Sequence, residues 1–134
     1  MSKIIHSMIR VLDLDRSLRF YADCVGLTPA HRLDFPGFTL VYLRNAENDA
    51  ELELTWNKGR TEPYSHGDGY GHVGVCVPDV AAERARLIGL GYSALDVKAF
   101  MADDGALIAR YFFIQDPDGY KVEVEVLERH GHYQ

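Results

Sequence analysis

Cysteine is scarce: Cys24 and Cys76 are the only two in 134 residues, too few for a disulfide framework. Basic runs are missing as well. The 14 Lys and Arg are scattered, and 20 Asp and Glu leave a formal net charge of -6. That disfavours nucleic acid or an anionic membrane as the main partner, because both call for clustered positive charge. No apolar run approaches a membrane span. The opening Met1-Ser2-Lys3-Ile4-Ile5-His6 lacks the apolar stretch of an export signal, so a cytoplasmic protein is expected. There is no Ser-His-Asp set, no phosphate-cradling glycine loop and no Cys-x-x-Cys motif. What is present is an ordinary globular balance, 47% hydrophobic and 25% charged, in a chain long enough to bury a core without cross-links.

The chain also contains an internal repeat. His6-Ser7-Met8-Ile9-Arg10-Val11-Leu12-Asp13-Leu14 lies over His72-Val73-Gly74-Val75-Cys76-Val77-Pro78-Asp79-Val80, with His on His, Val11 on Val77 and Asp13 on Asp79 at one constant interval. Glu51-Leu52-Glu53-Leu54 resembles Glu123-Val124-Glu125-Val126 in pattern. Here the pairing of glutamates is ambiguous by two residues, and only strand parity is fixed.

Each repeat predicts the same order of elements. A short β-rich stretch opens it, Ile4 to Val11 or Gly71 to Val77. Asp13 and Asp79 are expected N-caps of the helices that follow. Leu14, Leu18, Tyr21 and Val25 fall at helical spacing in the first helix, and Val80, Ala81, Leu87, Ile88 and Leu90 in the second; Gly26 and Gly91 stop them. Strands are expected over Phe38 to Leu43, Glu51 to Trp56, Leu107 to Ile114 and Lys121 to Leu127, with weaker ones near Ala30 to Phe35 and Ser93 to Phe100. Asp116-Pro117-Asp118-Gly119 predicts a tight turn between antiparallel strands, and Asn45 to Asp49 the matching connection. The expected organisation is one α+β domain over residues 1–134, made of two β-α-β-β-β modules at about 1–64 and 70–128. Tyr64 to Gly71 joins them, and 129–134 is a loose tail.

Residues two apart share a face of a strand. His6, Met8 and Arg10 therefore oppose Ile5, Ile9 and Val11. Glu51, Glu53, Thr55 and Asn57 oppose Leu52, Leu54 and Trp56. His72, Gly74 and Cys76 oppose Val73, Val75 and Val77, and Glu123 and Glu125 oppose Val122, Val124 and Val126. In every case one face is apolar and the other carries imidazole or carboxylate. Two His and two carboxylates from equivalent strands suit a divalent metal such as Zn, Ni, Co, Fe or Mn, without selecting among them. A lone strand His is more often solvent-exposed, and alternating Glu and Leu more often mark a half-solvated sheet; the duplicated His in one register favours the metal. His31, His66, His130 and His132 fall in turn-rich or terminal stretches and are expected to be bystanders. Cys24 is expected to be structural, and Cys76 a small core residue.

These segments resemble glyoxalase I (lactoylglutathione lyase) of the vicinal oxygen chelate superfamily. The opening His6 to Tyr21 resembles that family's first strand and helix. Glu51-Leu52-Glu53-Leu54-Thr55-Trp56-Asn57 is similar to its Glu-Leu-Thr-aromatic-Asn segment, Tyr70-Gly71-His72-Val73 to its second His motif, and Asp116-Pro117-Asp118-Gly119-Tyr120-Lys121-Val122-Glu123 to its C-terminal motif. The resemblance implies a glyoxalase/bleomycin-resistance/dioxygenase-like fold of curved, cupped sheets. It implies His6, Glu53, His72 and Glu123 as metal ligands, with Glu123 as principal base and Glu53 assisting. It implies one divalent metal per site, nickel or cobalt ahead of zinc, and a homodimer with sites between chains. The implied reaction turns the hemithioacetal of methylglyoxal and glutathione into S-lactoylglutathione, with Arg10 and Asn57 contacting the thiol. Related alternatives are an acyl-CoA epimerase-type isomerase and an antibiotic-sequestering binding module. One departure is Met101-Ala102-Asp103-Asp104-Gly105, where the family has a basic, glycine-containing loop. Asp103 and Asp104 would repel a glutathione carboxylate, with Lys98 or Arg110 available to compensate.

Overall fold

The computed structural model describes residues 1–126. The chain forms two compact units, divided between His66 and Gly67. The first contains β1 (His6–Val11), α1 (Leu14–Phe20) continued by a π-helical turn (Tyr21–Val25), β2 (Thr28–Asp34), β3 (Phe38–Arg44) and β4 (Glu51–Asn57). The second contains β5 (His72–Val77), α2 (Val80–Gly89), β6 (Lys98–Met101), β7 (Leu107–Gln115) and β8 (Lys121–Val126). Each unit has one four-stranded sheet, ordered β1-β4-β3-β2 and β5-β8-β7-β6. The opening strand runs parallel to the last one, and the other neighbours are antiparallel. This is an α+β fold in which one β-α-β-β-β module occurs twice.

The helix starts follow the sequence directly. The Asp13 carboxylate accepts from the Arg16 amide and the Asp79 carboxylate from the Ala82 amide, each at 3.0 Å, which satisfies a donor the first turn leaves open. Both helices also end where glycine permits positive φ, at Gly26 (71°) and Gly91 (92°). After α2 the Gly91 amide reaches Ile88 O and the Tyr92 amide Leu87 O, each at 3.0 Å, the paired closure of a Schellman end.

The helical faces differ from expectation. In the first helix the buried residues are Leu14, Ser17, Phe20, Tyr21 and Cys24, while Leu18 and Val25 are only partly covered. Leu14, Ser17, Tyr21 and Cys24 recur at steps of three and four residues, so the buried stripe runs through Ser17, with Phe20 beside it, and leaves Leu18 and Val25 at its edge. In α2 only Val80 and Leu87 are buried; Ala81, Ile88 and Leu90 are exposed, because the face set against β7 and β8 is narrow.

The apolar strand faces are as the alternation requires. Ile9, Val11, Val41, Leu43, Leu52 and Leu54 are buried in unit 1, and Phe112, Ile114, Val122 and Val124 in unit 2. In the turn that joins β7 to β8 the Asp116 N–H donates a hydrogen bond to Tyr120 O at 2.8 Å, and the Gly119 N–H donates to Asp116 O at 2.9 Å. The buried Asp116 carboxylate also accepts from the Asp118 and Tyr120 amides, each at 2.9 Å. Ser93 to Val97 is irregular, and the expected strand there is confined to Lys98–Met101. His31 lies within β2, in the stretch expected as a weaker strand. Cys24 is buried, but Cys76 is exposed rather than core, since it sits on the face of β5 opposite Val75 and Val77. The expectations placed on Leu127, His130, His132 and the tail from Arg129 fall outside the described residues.

Candidate functional site

Strand register decides which glutamates correspond. In unit 1, β1 and β4 pair Met8 with Glu53 and Arg10 with Thr55. In unit 2, β5 and β8 pair Gly74 with Glu123 and Cys76 with Glu125. Met8 and Gly74 each lie two residues beyond the opening His, so Glu53 and Glu123 are the matching pair. Glu51 matches Lys121, which removes the two-residue ambiguity of the repeat.

Each unit then presents the same small cluster. His6 Nε2 lies 3.5 Å from Glu53 Oε1, and His72 Nε2 lies 3.7 Å from Glu123 Oε2. Neither is a good hydrogen-bond length. Two donors about 2.1 Å from one cation stand roughly 3 to 3.5 Å apart; the His6–Glu53 pair is at that spacing and the His72–Glu123 pair slightly wider. Among the described residues no three His, Cys, Asp or Glu converge into one cluster. Each unit supplies two donors, an imidazole nitrogen and a carboxylate, which suit a borderline divalent ion.

An aromatic ring completes each cluster, and the sequence reading did not single it out. Tyr42 is the cross-strand partner of Glu53, and its ring meets His6 edge to face at 5.6 Å. Phe113 is the partner of Glu123, and its ring meets His72 edge to face at 5.3 Å. Extending the repeat to Leu40-Val41-Tyr42-Leu43 and Tyr111-Phe112-Phe113-Ile114 would have aligned these two rings.

The carboxylates sit in different surroundings. Glu53 is buried in the floor of its sheet. Thr55 Oγ1 donates to Glu53 Oε2 at 3.2 Å. Hydrogen bonding towards Glu53, then burial and the negative charge of Glu53, raise the Tyr42 pKa. Glu123 is half-buried, and Glu125, two residues on, is buried.

The remaining expected residues are dispersed along these faces. Arg10 is exposed on the His6 face of β1, beside Thr55. The Asn57 amide donates to the Tyr64 hydroxyl at 3.0 Å. Lys98 pairs with Tyr111 and so shares the Phe113 face of β7, whereas Arg110 lies on the opposite face. Asp103 and Asp104 belong to the turn between β6 and β7. Six residues of β7 separate Leu107 from Phe113, roughly 20 Å of strand, so within unit 2 these acids stand well away from Glu123. His31 pairs with Tyr42 and joins the His6–Glu53 face of unit 1, with ring centroids 6.1 Å apart.

Tandem β-α-β-β-β units that display matched His and Glu side chains define a paired-module class of α+β enzyme. The chain belongs to the Glyoxalase/Bleomycin resistance protein/Dioxygenase superfamily, which it matches over residues 3–124. It is 37% identical over 125 residues to the lactoylglutathione lyase of Haemophilus influenzae, covering 90% of both chains. It is also 37% identical over 126 residues to a probable lactoylglutathione lyase of Synechocystis, covering 90% of this chain and 92% of that one. Among solved structures it resembles the trypanothione-dependent glyoxalase I of Leishmania major, with a TM-score of 0.74, 33% identity and coverage of 94% of this chain and 87% of that one. Glyoxalase I from Zea mays gives a TM-score of 0.78 at 28% identity, covering 92% of this chain and 44% of that chain.

Proposed function

We propose that this protein is a metal-dependent glyoxalase I, converting the hemithioacetal of methylglyoxal and glutathione into S-lactoylglutathione by proton transfer through an enediolate. The observation that carries the reading is the duplicated His–Glu–aromatic cluster at matched register, 3.5 Å and 3.7 Å across its two His–Glu pairs. His6, Glu53, His72 and Glu123 would hold one divalent ion, nickel or cobalt ahead of zinc. When bound, it supplies Lewis-acid stabilisation of negative charge on the substrate oxygens.

The chain's own groups do the rest. Glu123 takes the proton from the carbon beside the carbonyl and returns it to the neighbouring carbon, and Glu53 assists. Arg10, exposed beside Thr55, offers a fork of donors for a carboxylate of the thiol, and Asn57 a second contact. One glyoxalase-like domain of two modules has two donors per module, so a complete site needs two half-sites. We assign these to different subunits of a homodimer. Two cysteines that form no disulfide suit a reducing cytoplasm.

The test is thioester formation from methylglyoxal and glutathione by metal-free protein reloaded with Ni2+, Co2+ or Zn2+. Turnover restored by one or more of these ions is expected. Epimerisation of an acyl-CoA in its place, or no turnover with any thiol, would overturn the assignment.

A further inference from the structure

The two halves are matched in backbone register but not in chemistry around the glutamate. On unit 1, Tyr42 is directly opposite Glu53 on the neighbouring strand, and Thr55, two residues along β4, donates to Glu53 Oε2 at 3.2 Å. The matching places around Glu123 are filled by Phe113 and Glu125, and neither side chain carries a hydroxyl. Ring packing cannot account for the tyrosine, because Phe113 makes the same edge-to-face contact with His72 that Tyr42 makes with His6. The Tyr42 oxygen is the one atom of that side chain for which the mirrored half has no counterpart. Its residue is the cross-strand partner of Glu53, whose side chain is 10% exposed. An ionised carboxylate offers about four acceptor sites, so hydroxyl donors can fix its rotamer and leave lone pairs on the His6 side open.

The geometry points to Tyr42 as a positioning residue that, together with Thr55, clamps the Glu53 carboxylate in the orientation it needs to ligate a metal beside His6. The inference rests on the reading of Glu53 as a metal ligand. It separates the two glutamates by role: Glu53 is a ligand held by hydroxyls, on a half of the protein distinct from the one that carries Glu123.

The test is calorimetric titration of the metal-free full chain with Co2+, alongside the visible absorption of the bound ion, for wild type, Y42F, T55V and T55S. Y42F is expected to bind Co2+ roughly 10- to 100-fold more weakly with an altered spectrum, the range that follows loss of a ligand's hydrogen-bond partner. Its thermal midpoint should barely move, because the ring remains. T55V should show a loss of the same kind and T55S wild-type affinity. Wild-type affinity and an unchanged spectrum in Y42F would overturn the proposal. Should Y42F fail to fold, T55V against T55S decides the matter by the same measurement, equal affinities counting against the clamp. A wild type that binds Co2+ but forms no thioester would overturn the proposed reaction and leave the clamp to be judged on these titrations. A wild type that binds no divalent ion removes both.

Discussion

Glutamine and glutamate have nearly the same shape, but only glutamate can accept a proton at neutral pH. E123Q therefore separates two duties assigned to one residue. Its amide oxygen can still coordinate, so metal content should stay within about tenfold of wild type, while turnover should fall by roughly 10²- to 10⁴-fold, the span of a lost general base. Near-normal turnover in E123Q would pass the role of base to Glu53. The histidines are tested by subtraction. His72 faces Glu123 at 3.7 Å, whereas His31 lies on β2, at the opposite edge of the sheet from β1 with two strands between them, its ring towards Tyr42. H72A should lose most of its metal affinity and H31A little, measured by metal analysis after dialysis. Equal metal content in the two variants would remove the basis for choosing His72.

At the scale of elements, the β7–β8 hairpin carries Glu123 and depends on one buried side chain. The Asp116 carboxylate accepts two backbone amides within its own turn, and those donors are left without it in D116A. About 1–3 kcal/mol per unsatisfied group makes D116A a loss of roughly 2 kcal/mol or more in chemical denaturation. D116N keeps an acceptor oxygen and should lose about half as much. Equal losses would mean that the charge matters rather than the acceptor. The Pro and Gly of this turn were legible because they are local signals, and so were the Asp13 and Asp79 caps, the Gly26 and Gly91 stops and the alternation of faces. Three things were not. Ser17 is polar and Phe20 lies off the Leu14–Leu18–Tyr21–Val25 line, so both were missed as core. In the repeat alone the glutamate register was hidden because parity repeats every two residues; the family resemblance pointed to Glu53 and Glu123, and the pairing of β1 with β4 and β5 with β8 makes those two the matching positions. Tyr42 and Phe113 read as ordinary strand aromatics until cross-strand pairing set each beside its glutamate.

For the molecule as a whole, the question is how two donors per unit become a complete site. A divalent ion held by protein takes three or four protein ligands, and each unit presents one His and one Glu. A site shared between chains puts His6 and Glu53 of one subunit with His72 and Glu123 of its partner. Two-fold symmetry then makes two equivalent sites per dimer. This pairing has a consequence that a site within one chain lacks. H6A damages only the first half-site of its chain and H72A only the second, so each homodimer has two broken sites and should be nearly inactive. In a heterodimer of the two, both defects meet in one site and the other site is intact. Random exchange in an equal mixture makes half the dimers mixed, each with one working site of two, so about a quarter of wild-type activity should return. Size-exclusion chromatography with one tagged partner verifies the exchange. If exchange is complete and no activity returns, both half-sites belong to one chain, and the dimeric site is wrong even though the ligands may be right.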